Sequence, residues 1–512
     1  MPANVLLFDD FNRADASAPG LGPDWTDQQS IWAIASNKAS FTGASSTQMA
    51  AGNAARVVDG LTSASRYVVS AEVNIPSSTS AVLKMRLADA SSGVGVCTRV
   101  YQTGTPPKLT INFARATASA IASPLHVAIH DTMLDADGRA IDMAGPFRIE
   151  LWNIEANKIA VGVYRPGEDE PLLTLGTENN IAETGPGVGF APWQNNSTVD
   201  DVQVATYTPS RSVVIVGDSF GNKAGGQIQV HLGPYAKTHH KAVSGVDLAA
   251  NDAGFAANVA PVVTADAAAG LPVSVIVCGG TNSIYNGATL AAMKATIKSI
   301  LTKAKNAGAT KGYIWTVTGR YAGGATALGP DVESRQIAFD AGKDAWNAWV
   351  RGDAAAECTT DVGMPVEIID VEGLPQFEGV TPNASGATGL YIADTVHLSG
   401  IGWHYLAREV ARVVGRAPDP ATEVDDLVVA FAGGPTGPTT GSYTATVAGG
   451  TPPYSVQFRR DATPDGDPIA VASDGGTAAY NPTGLTPTAY YNFDCIATDS
   501  GTPPQVEESA SL

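Results

Sequence analysis

Four continuous apolar runs alternate with amphipathic segments between residues 211 and 416, and this alternation restricts the fold more than any other feature. The runs are SVVIVGD (212–218), PVSVIVCGG (272–280), KGYIWTVTG (311–319) and PVEIIDV (365–371). Strands that are apolar on both faces are typical of parallel sheets covered by helices on both sides. The pattern therefore predicts a central α/β/α domain built on a parallel sheet.

Three segments between and after these runs have the periodicity of amphipathic helices. They are ATLAAMKATIKSILTKAKNAG (288–308), SRQIAFDAGKDAWNAWVRG (334–352) and GIGWHYLAREVARVVG (400–415). Apolar residues three and four apart form the stripe with which a helix covers a sheet. Gly308 and Gly415 end two of the segments and are predicted to be left-handed C-caps.

The flanking regions have a different pattern, so the chain is predicted to be multidomain. Short runs of alternating residues recur over 1–208 between clusters of Gly, Pro, Asn and Ser, which predicts an antiparallel β-sandwich. A Pro- and acid-rich linker at 417–426 leads into a C-terminal β module at 427–512. The α/β domain occupies 211–416.

Composition excludes several classes of partner. The net charge of the 512-residue chain is −19 and no basic stripe occurs, so neither nucleic acid nor an anionic membrane is an expected partner. No apolar stretch is long enough to span a membrane. The opening MPANVLLFDDF has no basic n-region and predicts no Sec-type signal peptide. The four scattered cysteines predict reduced, buried thiols rather than disulfides or a zinc site.

The first apolar run ends in Gly217-Asp218-Ser219, which places a small hydroxyl at the mouth of the sheet. Open α/β sheets bind their ligands at the carboxyl ends of their strands. Ser219 is a candidate nucleophile there, but a serine or aspartate between a strand and a helix is also a common N-cap. The tripeptide alone does not decide between these roles.

Three later features supply the context. Gly245 follows a predicted strand in VSGVDLAAN, and Asn282 follows the second apolar run in VIVCGGTNSI. Asp394 and His397 stand three residues apart before the last helix. Each feature also has a purely structural interpretation. Gly245 would be a turn glycine and Asn282 the asparagine of an Asx-turn. Asp394 would be a capping residue beside a partly buried His397.

Taken together, these residues have the chemistry of acyl transfer. A serine hydroxyl needs a base to remove its proton, and His397 would supply it while Asp394 fixes the imidazole tautomer. The oxyanion of the tetrahedral intermediate needs converging donors, which the Ser219 N–H, the Gly245 N–H and the Asn282 amide would provide.

The central region resembles the SGNH (GDSL-type) hydrolases over about 211–416. The matching blocks are Gly217-Asp218-Ser219, Gly245, Gly280-Thr281-Asn282-Ser283 and Asp394-Thr395-Val396-His397. The resemblance implies a flavodoxin-like three-layer domain and ester hydrolysis through an acyl-enzyme. Ser283 stands where the family often has aspartate, which questions how the loop is supported but leaves the triad complete.

The flanking regions resemble other families. The segment 1–208 is similar to concanavalin-like jelly rolls, in which an opening "DDF" strand and a closing "DDV" strand lie side by side. The segment 427–512 is similar to immunoglobulin- or fibronectin-like modules. This layout resembles bacteriophage tail-fibre or receptor-binding proteins, so a virion location is expected, with a cytoplasmic or non-Sec secreted enzyme as the alternative.

The predicted function is a serine esterase that removes acyl groups, most simply acetyl, from a surface polysaccharide. Its expected partners are such a glycan, further copies of the chain and other tail proteins. The alternative is a non-catalytic structural or glycan-binding protein with a degenerate SGNH fold. No cofactor is predicted apart from a candidate structural Ca²⁺ held by oxygen ligands at Asp9, Asp10, Asp200 and Asp201, for which solvated strand ends are the competing reading.

Other conspicuous side chains are assigned to structure. His239 and His240 lack further metal ligands around them and are expected in a surface loop. His404 is expected to be a packing residue. Four tryptophans of the N-terminal region invite sugar stacking, but Trp32 and Trp152 lie in strand-like runs and are predicted to be core residues.

Overall fold

The structure is a computed structural model, and it describes the strands of the flanking regions and nearly all of the α/β region. The described residues are 4–11, 21, 25–27, 32–35, 38–41, 54–59, 61–62, 65–74, 80–87, 95–103, 108–116, 126–130, 146–155, 158–176, 184–193, 198–321, 330–377, 390–392, 394, 396–415, 428–437, 440–448, 454–460, 463–465, 468–472, 477–482, 493–498 and 506–508.

The chain divides into two compact units, Ala3–Ala417 and Pro418–Leu512. The chain is therefore β-rich and multidomain, as predicted. The predicted boundary between sandwich and α/β domain falls inside the larger unit, and the predicted linker at 417–426 lies outside the described residues.

The N-terminal region forms two antiparallel sheets. Its strands are β1 (Asn4–Asp9), β2 (Thr26–Asp27), β3 (Trp32–Ala35), β4 (Lys38–Phe41), β5 (Ala54–Val57), β6 (Tyr67–Asn74), β7 (Ser80–Leu87), β8 (Gly95–Thr103), β9 (Lys108–Ala116), β10 (His126–His130), β11 (Pro146–Glu155), β12 (Lys158–Tyr164), β13 (Leu173–Gly176), β14 (Gly187–Trp193) and β15 (Thr198–Thr206). One sheet has the order β13-β12-β11-β6-β15-β4-β3, and the other β10-β9-β8-β7-β14-β5-β2. The opening strand β1 pairs with the closing strand β15, as predicted.

The two sheets share one hydrophobic core. Val69 and Phe147 from the first sheet meet Leu83 and Ile111 from the second in a single buried cluster. Alternation along the strands produces this core, since successive side chains of a strand point to opposite faces. Of the tryptophans, Trp25 and Trp152 are buried, each 5% exposed. The side chains of Trp32 and Trp193 lie outside the described residues.

The α/β region contains a five-stranded parallel sheet. Its strands are β16 (Arg211–Gly217), β17 (Ala236–His240), β18 (Val273–Cys278), β19 (Lys311–Trp315) and β20 (Val366–Ile369). They lie in the order β17-β16-β18-β19-β20, and every neighbouring pair is parallel. In such a sheet all carboxyl ends lie along one edge, where open α/β folds bind ligands. Residues that follow β16, β18 and β19 are thereby brought to one rim.

Helices cover both faces of this sheet. They are α1 (Ser219–Leu232), α2 (Leu248–Asn258), α3 (Ala260–Ala268), α4 (Thr281–Tyr285), α5 (Leu290–Ala307), α6 (Pro330–Trp349), a π-helical turn at Val350–Ala354, α7 (Ala355–Val362) and α8 (Gly400–Val414). Val213 and Ile215 pack with α1 and α8, whereas Val214 and Val216 pack with α2, α3 and α5. The continuous apolar run thus corresponds to burial on two sides, as predicted.

The helix ends follow the sequence in part. Gly308 ends α5 in the left-handed conformation, as predicted. The prediction for Gly415 was wrong, because its ψ of 148° places it outside the left-handed helical region despite a positive φ. The segment predicted as one helix at 334–352 begins earlier, at Pro330, and enters the π-helical turn after Trp349.

The sandwich lies against the outer faces of α1 and α8. Helix α1 contacts β12 and β13, and α8 contacts β13 and β10. Arg66 donates a hydrogen bond to the Thr238 carbonyl (2.9 Å), and Thr174 hydrogen-bonds to His404 (3.2 Å). His404 is therefore a packing residue, as predicted, although it packs at this interface as well as within its own helix.

The prediction of a surface loop at His239 and His240 was wrong. Both residues belong to β17, which pairs with β16 on the edge of the parallel sheet. His239 Nε2 lies 2.8 Å from an Asp266 carboxylate oxygen, and burial lowers the pKa of His240 to about 3. The two imidazoles are structural parts of the junction with the sandwich.

The described residues of the C-terminal unit form two small antiparallel sheets. Its strands are β21 (Val428–Gly437), β22 (Thr440–Ala448), β23 (Tyr454–Arg460), β24 (Thr463–Pro464), β25 (Ile469–Val471), β26 (Thr477–Tyr480), β27 (Phe493–Thr498) and β28 (Val506–Glu508). One sheet is β21-β22-β26; the other is β24-β23-β27-β28, with β25 also on β23. Val447, Val456 and Phe458 contribute to its core.

All four cysteines are buried thiols, as predicted. Within the described part of the chain, no helix is long and apolar enough to cross a membrane.

Candidate active site

The turn after β16 is built around Gly217. Its φ is +149°, and a Cβ at this position would lie 1.6 Å from the Cys278 carbonyl oxygen, so the backbone tolerates only glycine. The Asp218 N–H donates to that same carbonyl (3.0 Å). This contact joins the ends of β16 and β18 and holds Ser219 at the first position of α1. The sequence Gly-Asp-Ser is therefore a tight strand-to-helix turn.

Asp218, not Ser219, is the N-cap of α1. Its carboxylate accepts a hydrogen bond from the Phe220 N–H (3.0 Å), which satisfies one of the free amides of the first turn. The Ser219 hydroxyl is not needed for this purpose, and Ser219 as a residue is only 6% exposed. The helix N-terminus also places partial positive charge beside Ser219, as an oxyanion requires.

Asp218 is the most buried carboxylate at this rim, at 1% exposure. Burial raises its pKa to about 7, against opposing effects of the Phe220 and Asn282 backbone N–H groups and the Arg320 charge. The second carboxylate oxygen has no hydrogen-bond partner of normal geometry among the described residues. The ionised form of Asp218 is therefore costly in the folded protein.

We expect Asp218→Asn to stabilise the protein at alkaline pH. The pKa of folded Asp218 lies above its ordinary value of 3.8, so the folded state keeps a proton that the unfolded state releases, and stability falls between about pH 4 and pH 7. Asparagine keeps the capping oxygen without the charge. In urea denaturation, the free energy of unfolding of Asp218→Asn minus that of wild type should increase by about 2 kcal/mol from pH 5 to pH 8.

The matched control is Asp247→Asn, which changes the less buried N-cap of α2 that accepts from the Ala250 N–H. It should give no comparable gain. An Asp218→Asn variant that is no more stable than wild type at pH 8 would contradict the buried-charge explanation.

The loops after β17 and β18 are tied together beside Ser219. The Asn282 side-chain amide donates to the Val246 carbonyl (3.0 Å), which fixes the loop that carries Gly245. Gly245 has a φ of +82°, and an added Cβ would meet nothing within 4 Å. The structure therefore brings Gly245 and Asn282 to the same rim.

Ser283 supports this loop. Its hydroxyl accepts a hydrogen bond from the Leu248 N–H (3.0 Å) at the start of α2, and the side chain is buried. The residue that departs from the SGNH pattern thus takes up a buried backbone donor. The sequence alone does not show how this loop is supported. In the structure the Ser283 hydroxyl supports it through this hydrogen bond.

Asp394 and His397 form a closely coupled pair. Asp394 Oδ2 lies 2.5 Å from His397 Nδ1, and Oδ1 accepts from the backbone N–H groups of Val396 (3.0 Å) and His397 (2.9 Å). Burial alone would raise the pKa of Asp394, but these hydrogen bonds bring it below its ordinary value. The carboxylate stays ionised and orients the imidazole with Nε2 facing away from it.

His397 Nε2 is buried and has no hydrogen-bond partner in the described part of the chain. The His397 ring lies beside Phe220, with 6.2 Å between ring centroids, and Phe220 immediately follows Ser219. The imidazole and the Ser219 hydroxyl thus share one rim without a hydrogen bond between them. Such bonds are often long in free enzymes and shorten when substrate binds.

Arg320 also belongs to this rim, and the sequence did not single it out. Its guanidinium carbon lies 4.0 Å from the centre of the Tyr285 ring, at the end of the α4 helix that carries Asn282. Burial lowers the pKa of Arg320, while the charges of Tyr285, Asp218 and Asp394 oppose that effect. An isolated arginine after a strand has no sequence signal.

The calcium candidates are partly used by other groups. Asp9 accepts from the Phe11 N–H (2.9 Å) and from the Trp25 indole (2.8 Å), and Asp200 pairs with Lys38 (3.0 Å). Burial and the neighbouring charges of Asp200 and Asp10 raise the pKa of Asp201. Over the described residues, no group of three or more His, Cys, Asp or Glu side chains is placed to hold a metal. The calcium site stays a prediction.

Three solved structures each resemble about two fifths of the chain. A catalytic mutant of an acetylxylan esterase from Geobacillus stearothermophilus is 16% identical over 41% of this chain and 95% of its own, with a TM-score of 0.28. A lipolytic G-D-S-L family protein from Veillonella parvula is 14% identical over 40% of this chain and 97% of its own (TM-score 0.27). The esterase EstA from Pseudoalteromonas is 12% identical over 40% and 96% (TM-score 0.25).

No protein-family model matches the chain, and no curated protein sequence does.

Proposed function

We propose that the α/β region is a serine ester hydrolase with Ser219 as nucleophile, His397 as general base and Asp394 as the residue that orients it. One observation carries the proposal: the Asp394–His397 pair presents an unpaired imidazole nitrogen beside the N-terminus of α1, where Ser219 begins the helix. Because Asp218 is the N-cap of α1, the Ser219 hydroxyl is not used for capping.

The reaction proceeds in two halves. His397 Nε2 takes the hydroxyl proton as Ser219 Oγ attacks the acyl carbonyl, and the tetrahedral intermediate collapses when the alcohol leaves with that proton. Water then attacks the acyl-enzyme, gives its proton to Nε2, and the acid departs as Ser219 recovers the proton. Asp394 stabilises the imidazolium in both halves.

The oxyanion is stabilised by the N–H groups of Ser219 and Gly245 and by the Asn282 amide. Asn282 Nδ2 carries two hydrogens and gives one to Val246. The other is available to the intermediate. One such donor contributes about 3 kcal/mol to the transition state.

The proposed substrate is an acylated polysaccharide, most simply an acetyl ester. A β-sandwich of two sheets lies against the α/β region, which supports a protein that combines glycan binding with hydrolysis. Because the domain layout of the sequence resembles that of bacteriophage tail-fibre or receptor-binding proteins, we also propose that this is a virion protein that deacylates a host surface glycan.

A fluorophosphonate probe tests the nucleophile directly. Attack by Ser219 Oγ on phosphorus forms an O–P bond and expels fluoride, so peptide mass spectrometry should find one adduct, on Ser219. Replacement of His397 by alanine should slow labelling at least tenfold, because the hydroxyl loses its base. Labelling elsewhere, or at the same rate without His397, would contradict the proposal.

One observation favours a second candidate, a glycan-binding protein without turnover: Ser219 and His397 are not hydrogen-bonded to each other. In that case the chain would bind glycan and resist labelling by the probe.

A further inference from the structure

The backbone around Arg320 is hydrogen-bonded to side chains of α6. The segment that follows β19 is fixed by Asn347, whose side chain accepts from the Val317 N–H (2.8 Å) and donates to the Val317 carbonyl (2.9 Å). Gln336 donates to the carbonyl of Arg320 itself (3.0 Å). Because α6 anchors this segment, the position of Arg320 relative to the rim is well defined.

Its side chain is held by aromatic rings, not by acids. The guanidinium carbon stands 4.0 Å from the Tyr285 ring centre and 5.9 Å from that of Phe339. Across the described residues it makes no hydrogen bond or ion pair, and its Nε is buried without a partner. Buried polar atoms are normally paired, so the unpaired Nε of Arg320 needs an explanation.

The surroundings of Arg320 place it near the reacting groups. Tyr285 lies one turn after Asn282 in α4, and the charges of Asp218 and Asp394 both act on Arg320. The contact with the Tyr285 ring holds the guanidinium without using its N–H donors. The group is therefore a fixed cationic donor beside a proposed ester-binding site.

We propose that Arg320 is a specificity-determining residue that binds a carboxylate on the sugar carrying the ester, so that the substrates are acylated acidic polysaccharides. This inference rests on the proposed hydrolase function. A guanidinium presents two parallel N–H donors that match the two oxygens of a carboxylate. The proposed acyl group is as small as acetyl, so the charge lies on the sugar and not on the acyl group.

The test compares two polymers that differ in the carboxylate alone: acetylated polygalacturonate and its carboxyl-reduced counterpart. Acetate release is measured at low and high salt. Wild type should prefer the acidic polymer at least tenfold in kcat/KM, mainly through KM, and 1 M salt should weaken the preference. Arg320→Gln should bring the ratio near one. Arg412→Gln, a change at an exposed arginine paired with Glu409, should keep the ratio of wild type.

Equal preference in wild type and Arg320→Gln would overturn the inference while leaving the hydrolase intact. If no polymer releases acetate in a Ser219-dependent way, the proposed function fails instead. Calorimetry with trigalacturonate then decides the inference separately: binding by wild type and at least tenfold weaker binding by Arg320→Gln supports the carboxylate site, and equal or absent binding refutes it.

Discussion

Replacement of Asp394 by asparagine is expected to lower kcat for p-nitrophenyl acetate by about 10³- to 10⁴-fold. The new side chain would keep an oxygen for the N–H groups of Val396 and His397, so the loop should remain in place. Its amide would turn towards Nδ1 as a donor, and the imidazole would then carry its proton on Nε2. A protonated Nε2 cannot accept the proton of Ser219, and no carboxylate would stabilise the imidazolium.

Steady-state kinetics measure this loss of kcat, with Ser219→Ala giving the background rate. Asp361→Asn, an exposed carboxylate paired with Lys298 at a distance from the rim, is the matched control and should act like wild type. An Asp394→Asn variant within tenfold of wild type would remove Asp394 from the mechanism. If Ser219→Ala also retains activity, the whole assignment fails.

The parallel sheet could be predicted because strands that are buried on both faces have continuous apolar runs in the sequence. Val213 to Val216 are all apolar, and adjacent members of the run face different helix layers. The same logic brought Ser219 and Asn282 to one edge, because parallel strands end together. This part of the site follows from topology alone.

The sequence predicted a strand before Gly245 but assigned His239 and His240 of β17 to a loop, because AKTHH has no apolar run. Strand β17 lies at the edge of the sheet, and its histidines are buried by polar neighbours from other parts of the chain, including Asp266. Arg320 was missed for a similar reason, since its importance comes from Tyr285 and Phe339, which lie far away in sequence. The residues that surround the β17 histidines and Arg320 cannot be predicted from the local sequence pattern.

The role of α1 shows the same limit. A helix that covers a sheet usually exposes a polar face, and Gln227 and His231, four residues apart, would be assigned to it. In the structure both are buried, because the sandwich covers the outer side of the helix, and Gln229 is buried as well. Gln229 accepts from the Thr238 N–H (3.1 Å) and donates to the carbonyls of Gly233 and Ala236. A buried polar face looks identical in sequence to a solvated one.

We expect Gly226→Leu to destabilise the unit Ala3–Ala417 by about 3 kcal/mol. The α1 backbone at Gly226 lies against Gly176 of β13: an added Cβ would be 3.2 Å from the Gly176 Cα and 3.4 Å from the Ala160 Cβ. A leucine side chain extends well beyond its Cβ, so it must push the sandwich away from α1. Urea denaturation measures the loss, and faster hydrogen exchange in α1, β12 and β13 locates it.

Gly352→Leu is the matched control, because an added Cβ at Gly352 meets nothing within 4 Å. It should change stability by less than about 0.5 kcal/mol. If Gly226→Leu is equally neutral and exchange in β13 is unchanged, the sandwich is not held by this contact. A large loss confined to Gly226→Leu would instead mean that sandwich and α/β region depend on each other to fold, so that the rim bearing Ser219 is supported by strands that precede it in the chain.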